Sequence, residues 1–404
     1  MTMAHGDERR RLPLLVVGAG VGGLCAALAL ARRGRAVHVI EQAEAFADIG
    51  YGIQLGPNAT RILDALGVLD RLLPHAVAPR QLLYMDALSG ERIASIDLGE
   101  RFLARYGHPY LVVHRGDLQR ALLDACGEQP LVSIETGRAA QAFEDRGSDA
   151  TVRCADGTAY AAEAVVAADG LRSRARALLA PGELRAEGFV AYRGAVPLSA
   201  MTEHADADAM VMWVGPDMHM VQYKIRAGEL FNQVAVFRSR RFASGDPDWG
   251  SPDELDACYA AFCAPVRAGA ALLDRTQRYP MADREPIGTW TTERIALLGD
   301  AAHPMLPLLA QGGCQAIEDA AALADALGPD ADVPAALASY ERLRAPRAAR
   351  VQTSARRFAD VCHIGGVGIE LRNALFARHD PCDYAPLDWL YDEAAVRGGQ
   401  PITI

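Results

Sequence analysis

Residues 299–320 read GDAAHPMLPLLAQGGCQAIEDA, which puts an acid, an imidazole and two prolines in one loop ahead of a glycine pair that opens a helical pattern. Asp300 can bond a polyol hydroxyl, and N–H groups left free around Gly312 and Gly313 can stabilise negative charge on a flat ring lying against them. Taken alone, the stretch reads slightly better as a proline-rich turn. A second group is Gly18, Gly20 and Gly23, a GxGxxG directly after an apolar run, with Glu41 closing the next run, VHVIE. The first glycine permits a tight turn, the second lets a pyrophosphate approach the backbone, and the third lets helix and strand pack closely. The helix N-terminus favours the anion, and Glu41 can accept hydrogen bonds from a ribose. Third, VVAADGLRSRAR (165–176) carries Asp169 and Gly170 out of an apolar run into Arg172, Ser173 and Arg174. That suits a phosphate or the riboses of a second nucleotide, and equally a strand exit capped at Ser173. Fourth, GPDMHMVQYKI places His219 and Tyr223 four apart on a strand, on one face with Val221 between them. An imidazole titrates near neutrality and can take a proton from a phenol; the competing reading is a His and a Tyr hydrogen-bonded in a sheet core.

These residues need elements to hold them. LPLLVVGAGVGGLCAALALARRGRAVHVIE reads as strand, helix, strand, and residues 157–170 and 293–303 each put a buried-type strand before a Gly/Asp turn. The pattern predicts an α/β fold whose Rossmann-like parallel sheet gathers strands scattered along the chain. Residues 188–237 alternate more strongly, which predicts an inserted antiparallel sheet. The expected division is a cofactor domain from 1–75, 101–185 and 281–330, a substrate domain from 76–100 and 186–280, and a C-terminal helical segment, 331–404, packed across the sheet edge. A chain of 404 residues exceeds what one core usually supports. Its net charge of -10 argues against nucleic-acid or anionic-membrane partners. Arg9, Arg10 and Arg11, beside Asp7 and Glu8, read as a solvated tail before the first strand. The eight cysteines have no metal-ligand spacing and suit reduced thiols in a cytoplasm. The apolar stretch 12–31 is broken by four glycines and closed by Arg32 and Arg33, so neither export nor membrane spanning is expected.

GxGxxG with its terminal Glu, then the DG turn, then GDAAHPMLP, in this order and spacing, resembles the FAD-dependent aromatic hydroxylases, the single-component flavoprotein monooxygenases, over nearly the whole chain. The resemblance implies that Gly18, Gly20, Gly23 and Glu41 hold the ADP part of FAD. Arg115, in VHRGDL, matches the family arginine near the cofactor, and Asp169 and Gly170 match a motif shared between FAD and nicotinamide pyrophosphates. Asp300 would bind ribityl, and His303 to Pro307 would lie along the isoalloxazine. IDLGERFLARYGHPY, YPMADREPIGTW and LRNALFARHDPCDYAPLDWLY are most similar to 3-hydroxybenzoate 6-hydroxylases. Those enzymes carry Gln where this chain has Pro307, and HPMLP is closer to salicylate and 6-hydroxynicotinate hydroxylases.

The implied activity is hydroxylation of a small hydroxylated aromatic acid with O2, using FAD and NADH (or NADPH) as transient cosubstrate. The ring would be activated by deprotonation at His219, with Tyr223 beside it and Tyr106 and Tyr110 as hydroxyl donors to the carboxylate. The expected reaction is 3-hydroxybenzoate to gentisate; the alternative is decarboxylative hydroxylation of salicylate or 6-hydroxynicotinate. A homodimer is a family-level expectation. An NAD-dependent dehydrogenase built on the N-terminal fold would leave residues 165–176 and 299–320 without a role. A non-catalytic flavin-binding protein is distinguished by NADH oxidation that rises when an aromatic acid is added.

Overall fold

A computed structural model of the chain describes residues 10–47, 51–200 and 208–396. Its first sheet centres on Arg10–Val17, flanked by Val37–Ile40 and Ala159–Ala167, with Val132–Glu135 outside the former and Ile295–Leu297 beside the end of the latter. All of these pairings are parallel. Consecutive residues such as Leu14, Leu15 and Val16 are all buried, so the sheet is covered on both sides, which is why these strands read as continuous apolar runs. The expected parallel sheet is thus present, and an antiparallel hairpin, Ala140–Asp145 with Ala150–Cys154, extends its edge. Only four residues join the two hairpin strands, and a connection that short can serve only antiparallel neighbours. The first strand also starts earlier than expected. Arg10 and Arg11 pair with Tyr160 and Ala161 within the sheet, while Arg9 lies outside the described residues.

Register decides where the polar motifs emerge. Val17 stands opposite both Ile40 and Ala167, and Ala167 opposite Leu297. Gly18, Glu41, Asp169 and Asp300 therefore leave the sheet along one carboxyl-terminal edge, where α/β sheets bind ligands. The glycine turn is tight: Gly18 has φ +106°, and a Cβ there would lie 2.4 Å from the Ala168 carbonyl oxygen. A Cβ on Gly23 would lie 1.9 Å from the Gly18 oxygen, whereas one on Gly20 would meet nothing within 4 Å. The following helix, Val21–Arg32, packs through Gly22 onto Leu298 and onto Ala316 of helix Gly312–Ala326.

The second sheet runs, in spatial order, Asp274–Asp283, Arg185–Pro197, Leu230–Arg238, Met218–Ile225, Ala209–Gly215, Gln81–Asp86 and Arg92–Asp97. It is antiparallel except where Ala209–Gly215 meets Gln81–Asp86. One face, with Met218 and Met220, packs against Leu255 and Tyr259 of helix Pro252–Tyr259 and Val266 of helix Ala264–Ala271. The other, with Val221, Tyr223 and Ile225, packs toward Phe102, Tyr106 and Tyr391. The helix Val333–Cys362 starts beside the first sheet, where the Tyr340 hydroxyl donates to the Leu297 carbonyl, and ends at His363 against the second sheet. No helix among the described residues is long and apolar enough to cross a membrane.

The glycine geometry separates two near-identical substitutions. Gly23→Ala forces a Cβ into backbone and should destabilise the cofactor-free protein by about 1–3 kcal/mol or more. Gly20→Ala should cost under about 1 kcal/mol. Urea unfolding of both variants checks this; equal losses would mean the turn relaxes around position 23.

Candidate active site

At the carboxyl edge, helices Val21–Arg32 and Gly312–Ala326 both begin without a side-chain cap. Their first N–H groups are therefore free to meet an anion. Glu41 spans the glycine turn: one oxygen accepts the Ala19 N–H at 2.8 Å, the other the Ala43 N–H at 3.0 Å. Each carboxylate oxygen keeps a further lone pair. Asp169 accepts the N–H groups of Arg174 and Ala175, and Ser173 accepts that of Arg176, so the strand-exit cap is real. The other oxygen of Asp169 is buried without a partner, an acceptor that a ligand hydroxyl would satisfy. Asp300 reaches solvent from a deep position. Protein packed around it raises its pKa, against the pull of His303 and Arg115. A Cβ on Gly312 would lie 3.9 Å from Asp300 Oδ1, so the carboxyl sits at the start of that helix. Arg115 donates its backbone N–H to Tyr51 and leaves its side chain exposed. The unfilled space at Gly20, two uncapped helix starts, the orphaned oxygen and Asp300 together fit FAD: donors for the pyrophosphate, acceptors for ribose and ribityl hydroxyls.

The loop after Asp300 corrects one expectation. His303 is fully buried, and its Nε2 bonds Asp319, whose carboxylate also takes the Gly299 N–H at 3.0 Å and Arg344 Nε at 2.7 Å. Its imidazole faces inward against Trp290 and is not available to lie along a flavin. Burial pushes the Asp319 carboxyl up, but His303 and Arg344 outweigh this and hold it at about 2. Arg176, buried within the 165–176 run, grips the carbonyls of Ala301 and Ala302 from the other side. Pro307 is exposed and opens the short turn Pro307–Leu309.

On the inserted sheet, His219 is 2% exposed, and its Nδ1 lies 2.8 Å from Nε2 of His363, the rings stacked at 5.0 Å. Both line a cavity of about 400 Å³, with Phe189 on the sheet side and Leu306 and Leu308 on the loop side. Burial, then His363, lowers the His219 pKa well below the ordinary histidine value, so it is a neutral imidazole at neutral pH. The Tyr259 hydroxyl holds the strand by donating to the carbonyls of His219 and Val236, both at 3.1 Å.

Two further expectations change. Tyr223 shares the face of His219 but not its cavity, because four residues along a strand span about 13 Å. It packs on Gly52, where a Cβ would meet its ring at 2.4 Å, and burial raises its phenol to about 12. The Tyr106 hydroxyl donates to the Tyr384 carbonyl and Asp388 inside an aromatic cluster, so it has no proton left for a substrate. Tyr110 donates to Gln54 at 2.7 Å. The structure also reveals groups with no sequence signal. Arg193 lies 5.6 Å over the rings of both Tyr51 and Tyr279, with a buried Nε that has no partner. His363 comes from a helix end far along the chain.

Comparison with known proteins agrees with this arrangement. The profile of a family described as FAD binding domain matches residues 11–355. A relative from Polaromonas naphthalenivorans (strain CJ2), named 3-hydroxybenzoate 6-hydroxylase, is 39% identical over 95% of this chain and 97% of its own. A 6-hydroxynicotinate 3-monooxygenase from Bordetella bronchiseptica is 37% identical over 84% of this chain and 89% of its own. Among solved structures, Klebsiella pneumoniae HpxO complexed with FAD and uric acid superposes with a TM-score of 0.81 at 28% identity, covering 92% of this chain and 96% of that one. The chain thus carries an FAD binding domain and belongs to the FAD-dependent aromatic hydroxylases, the single-component flavoprotein monooxygenases.

Proposed function

We propose that the enzyme hydroxylates 3-hydroxybenzoate at C6 to give gentisate, with NADH as reductant and His219 as the base. The observation that carries this is a neutral imidazole in a cavity bounded by the 303–310 loop of the cofactor domain, with one ring nitrogen not engaged by His363. The names of relatives at 36–39% identity supply the substrate. In this reading Gly18, Gly20, Gly23, Glu41, Arg115, Asp169 and Gly170 hold the ADP and pyrophosphate of FAD. Asp300 holds the ribityl chain, and Pro307, Gly312 and Gly313 border the ring. His303 acts only by fixing the loop backbone.

Bound FAD supplies the redox chemistry, taking hydride from the nicotinamide and, with O2, delivering an oxygen atom to the aromatic ring. His219 accepts the phenol proton, which raises electron density on the ring carbon para to that oxygen, and C6 is para to the 3-hydroxyl. Phe189, Leu306 and Leu308 give the cavity an apolar wall. Pro307 offers no side-chain donor, so the substrate hydroxyl depends on His219. That same proline favours salicylate or 6-hydroxynicotinate as second readings. We place the enzyme in the cytoplasm as a homodimer. Val367, Leu371 and Leu375, 84%, 63% and 59% exposed at helical spacing, form an apolar stripe that a second copy would cover. Light scattering should give twice the chain mass for the native protein and the single mass for Leu371→Glu; a native monomer rejects the dimer.

Three measurements bear on the chemistry. Products formed under air from 3-hydroxybenzoate and from salicylate identify the substrate. Gentisate from the first supports the reading, catechol from the second alone replaces it, and benzoate turning over equally fast removes both, since a site that bonds a hydroxyl rejects the analogue lacking it. His219→Ala should lower ring hydroxylation by about 10²–10⁴-fold. Flavin reduction should be spared, so NADH is still consumed and H2O2 appears; tight coupling at near-normal turnover would remove His219 as the base, and Tyr223→Phe serves as control. Because its pKa is lowered, His219 stays neutral through pH 6.5 and protonates only below it. Hydroxylation should hold down to about pH 6.5 and fall only in more acidic buffer, a limb absent from the residual activity of His219→Ala.

A further inference from the structure

We infer that His363 is a positioning residue that sets the tautomer of His219 and carries the substrate proton onward to solvent. This rests on the reading of His219 as the base.

The argument starts from the 2.8 Å separation of His219 Nδ1 and His363 Nε2. Two neutral imidazoles at that distance must divide the roles, one donating and the other accepting. If His219 Nδ1–H donates, its Nε2 carries a lone pair and can take a proton. If His363 donates, His219 Nε2 carries the hydrogen and the base is blocked. The neighbour thus decides whether His219 is competent at all.

The same bond gives the proton a way out. The substrate O–H breaks as its proton joins His219 Nε2; the His219 Nδ1–H bond breaks as that proton joins His363 Nε2; and the Nδ1–H of His363 is lost to water. Each ring ends neutral with one N–H but with its tautomer reversed; when the product phenolate is reprotonated from His219 Nε2, the same three transfers run backwards with a proton from water and restore the lone pair on His219 Nε2 for the next turnover. This matters because an imidazolium at His219 would sit in a site that burial already makes hostile to charge. His363 is the more exposed of the two. Burial and then Arg238 lower its pKa to about 4, Asp217 opposing, so it does not hold the proton either.

His363 is held for this task. It caps helix Val333–Cys362, its N–H donating to Ala359 at 2.9 Å and its carbonyl accepting the Asp217 N–H at 3.0 Å. Its ring is stacked between His219 and Phe189, the latter at 4.6 Å. The charged groups around this cavity are Arg185 and Glu187, Asp217, Arg238 and Asp283, and from the helix Arg356, Arg357 and Asp360. All eight are paired within the set: Arg238 with Asp217, Arg356 with Asp283, Arg185 with Glu187 and Arg357 with Asp360.

The test compares His363→Gln and His363→Ala with His219→Ala in the FAD-loaded enzyme, measuring flavin reduction, hydroxylation rate and product per NADH. His363→Gln keeps an acceptor for Nδ1–H but cannot pass a proton, so hydroxylation should fall roughly tenfold with KM unchanged. His363→Ala should fall roughly 10–100-fold and recover when free imidazole is added, while flavin reduction stays normal in both. Wild-type rate and coupling in both His363 variants, with His219→Ala uncoupled, overturns the inference and leaves the base reading standing. Loss of FAD in His363→Ala with no recovery by imidazole assigns the residue to packing and also overturns it. Full coupling in His219→Ala overturns the base reading, and the relay with it.

Discussion

Asp319 is the contact on which both halves of the site depend. It is fully buried, and its two oxygens take the Gly299 N–H, the His303 imidazole and the Arg344 guanidinium. Gly299 and His303 flank Asp300 and its loop; Arg344 belongs to the long helix that ends at His363. A buried carboxylate with this many donors stays ionised, and removing one partner of such a group commonly costs about 3–5 kcal/mol. Beside it Glu318 takes Arg344 and Arg347, and with Gln311, Gln315 and Asn58 extends the network toward the start of helix Gly312–Ala326. The 299–303 loop and the start of helix Gly312–Ala326 are therefore fixed from behind by charge, not by contacts within the groove.

Helix Val333–Cys362 then transmits that anchorage. Thirty residues of α-helix span about 45 Å, enough to run from the edge of one sheet to the face of the other. At one end it is tied to Leu297 and Asp319, at the other to His219 through His363. His219 and the 299–303 loop are placed relative to one another by this helix as well as by the packing of the two sheets. Two rings whose facing nitrogens lie 2.8 Å apart can act as a proton path only if neither drifts, and the stack with Phe189 and the helix cap supply that restraint.

The reactive and supporting residues obey different economies of burial. Asp300 and Arg115 reach solvent, whereas His303, Asp319 and Arg344 are sealed behind the loop. Asp169 lies between: one oxygen caps its own turn and the other is left without a partner. That division explains why one motif read equally well as a cap and as a ligand site: the cap is formed, and one acceptor is left over.

Local chemistry alone determined the cofactor half of this protein. Gly18, Gly23, Glu41 and the GD and DG turns are legible because each answers a backbone need within a few residues of itself: a positive φ, a close approach, an uncapped helix start. The alternation of 188–237 likewise announced a half-buried sheet. Tertiary structure decided the rest, because burial and partner choice depend on what arrives from elsewhere in the chain. The spacing of His219 and Tyr223 put them on one face about 13 Å apart, but could not say that His219 would line a cavity while Tyr223 packs on Gly52. His303 stood in the middle of a ligand-facing motif, yet turned inward because Asp319, sixteen residues on, offered it a buried carboxylate. Tyr106 was claimed by Asp388, Arg193 was placed between two tyrosine rings, and His363 met His219 across 144 residues. Sequence patterns carry periodicity and local conformation; which polar group loses its water, and to which partner, is settled only when distant segments pack.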